Sequence, residues 1–204
     1  LKLHNNEYIY FRTDHHWTTL GAYYAFQDAA EALGIPEDGQ IPMKAYGISN
    51  NFNGTLSAVS GYRTGYKEAM YIYLPEGEQT PQIVVNYVEE QKKTASLYDS
   101  SKLEQKDKYA MFLGGNHALV DIKSDTGRNE RLLVIKDSYA NCFLPFLAPY
   151  YREILVVDPR YYTGDMEKLM EENKITSVLF LYNANTFFED RMLSGVLPSG
   201  SETE

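Results

Sequence analysis

Three short stretches of the 204-residue chain carry side chains that could do chemistry together. They are Asp14-His15-His16-Trp17, Lys136-Asp137-Ser138-Tyr139 and Tyr182-Asn183-Ala184-Asn185. A carboxylate, an imidazole, a hydroxyl at a helix start and an amide are the parts of a serine hydrolase or acyltransferase. A serine hydroxyl is a weak nucleophile until a base removes its proton. Ser138 is the candidate nucleophile and His16 the candidate base. In an extended segment, side chains at i and i+2 point the same way. Asp14 can then hold one ring nitrogen of His16 while the other faces Ser138. His15 would point to the opposite side.

Each of these residues has a plainer reading. A serine just before a helix is a common N-cap, and an Asp–His hydrogen bond can be purely structural. Asp, His and His are competent metal ligands, but adjacent histidines rarely reach one ion and no second cluster of suitable spacing follows. No metal and no cofactor is expected. Asn183 could donate its amide to an oxyanion or a bound hydroxyl, or simply form a turn. Asn116, in Gly114-Gly115-Asn116-His117, is a weaker candidate of the same kind, and Tyr139 is a third. Lys136 and Asp137 would orient the loop, with Asp137 able to take the capping role instead. Trp17 either packs in the core or shields the imidazole from water.

The elements that must position these residues follow from periodicity. Residues 7–12 alternate and are rich in β-formers, which predicts a strand. Thr18 or Thr19 can cap a helix through AYYAFQDAAEAL, stopped by Gly34 and Pro36. Residues 39–65 read as loop with one short helix. Segments 67–74, 82–90 and 94–99 are β-rich and separated by turn signals, and 115–130 suggests another strand. The continuous apolar runs 132–135, 153–157 and 177–181 alternate with helical segments, which predicts parallel strands. The helix from Ser138 should break or kink at Pro145, and a second should run from Asp165 to about Asn173. The expected fold is α/β: a three-layer sandwich with a mostly parallel sheet and an inserted antiparallel β-rich region at 62–129. Residues 1–197 would form one domain, with a flexible tail at 198–204. Ligands in such sheets sit beyond the carboxyl ends of the strands, where the candidate residues fall.

Composition narrows the partners. With 19 basic and 28 acidic residues the net charge is −9 and no basic stripe offsets it, so nucleic acid is not an expected partner. Cys142 is the only cysteine, which excludes an intrachain disulfide and a cysteine-based zinc site. The chain starts at Leu1 rather than Met, so upstream sequence, including a signal or anchor, is expected to have been removed. The 18 tyrosines suit sugar-facing or wet surfaces, or are ordinary half-buried residues.

The run Tyr10-Phe11-Arg12-Thr13-Asp14-His15-His16-Trp17-Thr18-Thr19-Leu20-Gly21 resembles the signature of the bacterial DHHW protein family. The segment Ile135-Lys136-Asp137-Ser138-Tyr139-Ala140-Asn141 resembles that family's second block. The family is similar in turn to the SGNH-hydrolase-like domain of alginate and cell-wall polysaccharide O-acetyltransferases, where an Asp-x-His motif precedes the nucleophilic serine. Lys136 stands where the usual Gly-Asp-Ser block has glycine, and 181–185 lacks the Gly and Asp of the later block. The resemblance implies a serine-dependent O-acetyl esterase or O-acetyltransferase acting on cell-envelope or extracellular carbohydrate. Ser138 would be the nucleophile, His16 the base and Asp14 its orienting carboxylate. The implied partners are an acetylated polysaccharide and an acetyl-donor membrane protein, and the implied location is outside the cytoplasm. The acidic pI, about 5.0, fits a neutral sugar better than an anionic one. A non-catalytic glycan-binding or assembly domain on the same fold is the alternative, favoured by the missing glycine.

Overall fold

In the computed structural model, which describes residues 1–61, 65–77, 80–189 and 191–196, the chain divides into two compact units. The expected tail at 198–204 lies outside the described residues. The first unit is built from Leu1–Thr80, Leu97–Gly115 and Asn141–Pro149, and the second from Pro81–Ser96, Asn116–Ala140 and Tyr150–Glu204.

In the first unit, helix α1 spans Thr19–Ala29, and Thr18 caps it by accepting the Gly21 N–H at 3.3 Å. Ala22 and Phe26 of the helix are buried, as is Ala30 just past its end. Gly21 is required by proximity, because a Cβ there would lie 2.4 Å from the Ile9 carbonyl oxygen. Residues 7–12 do not form the expected strand. Only a bridge between Tyr10 and Trp17 is present, with Thr18 N–H donating to the Ile9 carbonyl at 2.9 Å. The N–H groups of Arg12 and Thr13 instead donate to the buried Glu68 carboxylate, each at 2.7 Å. A side chain thus takes the donors that a neighbouring strand would have used.

Strand β1 (Met43–Phe52) pairs antiparallel with β2 (Glu68–Pro75) in a two-stranded sheet. β1 was expected as loop. Most of it is exposed, so it lacks the apolar alternation that betrays a strand, and its register shifts near Gly47 and Ser49. The short helix in this region is α2, Thr55–Ser60. No long helix starts at Ser138. A 3-10 turn, Ser138–Cys142, is followed by α3, Leu144–Leu147, with Pro145 in its first turn. Proline lacks only a donor that the first turn leaves unused, so it opens this helix rather than breaking it. Phe146 of α3 stacks on Phe26 of α1, with ring centroids 5.8 Å apart.

The second unit holds a six-stranded sheet of β3 (Ile83–Tyr87), β4 (Lys92–Thr94), β5 (Leu119–Ser124), β6 (Arg131–Lys136), β7 (Glu153–Val157) and β8 (Ser177–Leu181). Their order is β4-β3-β5-β7-β6-β8. β7, β6 and β8 run parallel, as the apolar runs predict, whereas β4-β3, β3-β5 and β5-β7 are antiparallel. The sheet is therefore mixed and not mostly parallel. The cause is that β3 and β5, assigned to an insertion, complete this sheet beside β7, while β2 pairs with β1 elsewhere. Helix α4 (Met166–Glu172) is capped by Asp165, and Met166 packs with Leu133, Ile135, Leu155 and Val157. Two short helices, α5 (Ala184–Glu189) and α6 (Leu193–Val196), follow β8. Among the described residues no helix is long and apolar enough to cross a membrane.

Candidate active site

In the first unit, Asp14 and His16 are brought together and buried, 3% and 5% exposed. One Asp14 oxygen, Oδ1, accepts from His16 Nδ1 and from the His16 backbone N–H at 3.0 Å. The other, Oδ2, accepts from the Thr55 N–H at 2.7 Å and the Thr55 hydroxyl at 3.0 Å. The pair forms through this turn and not through the alternation of an extended strand. Burial opposes ionisation of Asp14, but the hydrogen bond and charge of His16 and the N–H groups of Thr55 and His16 outweigh it. The carboxyl is held well below the usual carboxylate range. An Asp14 that stays ionised fixes His16 with Nδ1 toward the carboxylate.

His15 does not turn away. Its ring tilts against that of His16 at 3.9 Å, and its Nδ1 lies 2.7 Å from the Thr55 hydroxyl. Ligand atoms of Asp14, His15 and His16 all fall within 4.8 Å of one another. Both oxygens of Asp14 and the Nδ1 atoms of both histidines serve hydrogen bonds.

Three supports of this loop escaped the sequence reading. The Tyr109 ring lies flat on His16, centroids 3.7 Å apart and planes 10° apart, and its hydroxyl donates to Cys142 Sγ at 3.3 Å. Burial pushes the Cys142 thiol up to about 12, so it is an inert anchor. Trp17 is buried and its ring stacks on that of Phe143. Glu68 accepts from the Tyr8 and Thr13 hydroxyls as well as from the two backbone N–H groups. An acid at a buried position of an otherwise apolar strand, Glu-Ala-Met-Tyr-Ile-Tyr-Leu, was the one available signal. Gly54 is the third: a Cβ there would fall 2.1 Å from Asp14 Cβ. Gly54→Ala is expected to displace the carboxylate and cost about 10²-fold in any reaction that His16 serves. Esterase kinetics on the folded variant check this, and a rate within about threefold of the parent would refute the role given to Asp14.

In the second unit, Ser138 follows β6 directly. It is the only residue between Leu132 and Tyr151 that is not fully buried. The capping role open to it is filled by Asp137, whose Oδ1 accepts the Tyr139 N–H at 2.9 Å. Oδ2 of Asp137 accepts the Asn183 N–H at 3.0 Å, which ties the serine turn to the end of β8. Asn183 Oδ1 receives the Asn185 N–H at 2.8 Å, the turn-forming arrangement at the start of α5. Asn116 Oδ1 accepts from Lys136 Nζ at 3.1 Å. Lys136 is fully buried and reaches Asp158 at 3.4 Å, and Asp158 is also held by Arg160 at 2.6 Å. Burial lowers the Lys136 ammonium to about 8 against the pull of Asp158. A buried cation thus lies beneath the serine turn. Asn183, Asn116 and Tyr139 all belong to this framework around Asp137 and Lys136.

A mixed sheet with serine at the end of a parallel strand, and a buried Asp–His pair, define an α/β protein. The chain belongs to the DHHW protein family, whose model matches residues 1–157. A DHHW family protein from Eubacterium siraeum is 30% identical with a TM-score of 0.74, over 89% of this chain and 61% of its own. Bacillus cereus PatB1 is 22% identical with a TM-score of 0.67, over 88% of this chain and 63% of its own, and shares the fold. A second structure of PatB1, with a sulfonyl adduct, matches at a TM-score of 0.66, 22% identity, 88% of this chain and 62% of its own. The chain thus spans about three-fifths of the length of these solved relatives. No curated protein shows significant similarity to it.

Proposed function

We propose that this chain is the acyl-transfer domain of an exported, SGNH-hydrolase-like O-acetyl esterase or O-acetyltransferase acting on cell-envelope carbohydrate. Its scaffold would be the three-layer arrangement of that group. Ser138 Oγ attacks the acetyl carbonyl while His16 Nε2 takes its proton. His16 returns that proton to the departing sugar oxygen, leaving an acetyl-serine. Water, or the hydroxyl of a second sugar, then attacks the ester and restores Ser138. Asp14 stays ionised throughout and stabilises the imidazolium.

The buried Asp14–His16 pair is the observation that carries this reading, because an ionised carboxylate orienting a histidine is costly to bury without a task. Two further points support it: Asp137 covers the capping role that would otherwise explain Ser138, and PatB1 has been captured with a sulfonyl adduct, the type of trap that an activated hydroxyl forms.

A non-catalytic glycan-binding module is favoured by one observation. The Tyr139 N–H, one of the oxyanion candidates, is engaged by Asp137. Acetyl release from p-nitrophenyl acetate separates the two. The enzyme reading predicts turnover above buffer that falls to background in His16→Gln and is untouched by chelator. Background rates for the parent protein would leave the binding module.

A further inference from the structure

The net charge of −9 hides a local excess of the opposite sign. Within the first unit, a cleft of about 660 Å³ is lined by Lys67, Lys106 and Lys108 together with Asn53, Gln105 and Gly54. Some cations of the chain are matched to carboxylates, as in Lys123–Glu153, Arg131–Glu153 and Arg160–Asp158. Among the described residues, none of the three cleft lysines has a carboxylate within 4.0 Å. What they touch is neutral. Lys108 Nζ donates to the Leu103 carbonyl, and with the Asn53 carboxamide turned so that both its ends are satisfied, Lys67 Nζ donates to its oxygen at 3.1 Å. Asn53 is itself fixed by donating to the Tyr66 and Phe52 carbonyls at 2.9 and 3.0 Å. Such contacts orient an ammonium without neutralising it.

The cleft also has a place in the site. Its floor includes Gly54, the residue packed against the Asp14 carboxyl, and the following Thr55 holds Asp14 Oδ2. Asp14 accepts from His16 and Thr55 and is not among the residues that line the cleft. Ammonium groups attract carboxylate or phosphate oxygens, and the neighbouring amides suit hydroxyls. The volume suits a few sugar rings. We infer that this cleft binds an anionic, polyhydroxylated chain, a glycan bearing carboxylates or phosphodiesters, and so selects the carbohydrate that the Asp14–His16 loop serves. This deepens, and rests on, the acyl-transfer reading, and it reverses the preference for a neutral sugar drawn from the overall pI.

Equilibrium binding to the purified chain tests it without turnover. The probes are a galacturonate trimer, the same trimer with its carboxyls reduced to alcohols, and a glycerol-phosphate trimer, each titrated calorimetrically at low and at moderate salt. The galacturonate or the glycerol-phosphate trimer should bind at least about tenfold more tightly than the reduced trimer. Which of the two binds identifies the source of the anion. Added salt and the double variant Lys67→Gln/Lys106→Gln should each remove that advantage. Equal binding of charged and neutral trimers, no binding of either anion, or binding that ignores both substitutions in a folded variant would overturn the inference. An inert protein that still prefers the anion would refute only the acyl-transfer reading. An active one indifferent to charge would refute only the cleft.

Discussion

Ser138→Ala is expected to lower acetyl release from p-nitrophenyl acetate by about 10³-fold or more, a loss of at least about 4 kcal/mol of transition-state stabilisation. The change removes one oxygen from a half-buried side chain, and Asp137 continues to hold the turn through Tyr139 and Asn183. The fold should therefore be unaffected, and circular dichroism of parent and variant should coincide. Nucleophile and base act as a unit, so His16→Ala added to Ser138→Ala should cost little more than either alone. A drop of tenfold or less, or independent losses that multiply, would mean that Ser138 is a turn residue and nothing more.

Glu68→Ala should be the most damaging change that touches no reacting atom. Glu68 is 1% exposed and its carboxylate is the common acceptor for the Tyr8 hydroxyl, the Thr13 hydroxyl and the N–H groups of Arg12 and Thr13. Alanine leaves these donors without an acceptor in a buried site, and the loss should be about 3–5 kcal/mol. Glu68→Gln keeps one acceptor oxygen of the same shape and should lose about half as much. Urea unfolding followed by circular dichroism measures both. Because Thr13 immediately precedes Asp14, the glutamine variant should lose esterase activity while still folded. A loss under about 1 kcal/mol for alanine would show that the loop is held by something else.

The legible part of the fold is the part where burial is two-sided. β6 and β7 are continuous apolar runs because both faces are buried. β8, at the sheet edge, has the same composition although Val178 and Phe180 are exposed. Asp165 marks the start of α4 by a capping role with a local signature. Illegible segments take their structure from distant partners. Residues 7–12 have the composition of a strand, yet their backbone donors belong to Glu68, more than fifty positions away. β1 looks like loop because its hydrogen-bonding partner, not a buried face, makes it a strand. The direction of β3 and β5 depends on which strand they join, and no periodicity encodes that. The site divides in the same way. Asp14 and His16 could be paired by proximity in sequence, although the turn that joins them differs from the one anticipated. Tyr109, Glu68 and Gly54 meet the loop only in three dimensions. Asn183 and Asn116 were chosen for their amides, and the structure engages them with Asp137, Asn185 and Lys136.

The central claim, that Ser138 is a nucleophile activated by His16 and Asp14, is tested most directly by covalent trapping. The purified chain is incubated with a phenylmethyl sulfonyl fluoride and the modified site is located by peptide mass spectrometry. The account predicts one sulfonyl group on the peptide bearing Ser138, with labelling abolished in His16→Gln. A protein that stays unlabelled, carries the group on another residue, or is labelled as fast without His16 would contradict it.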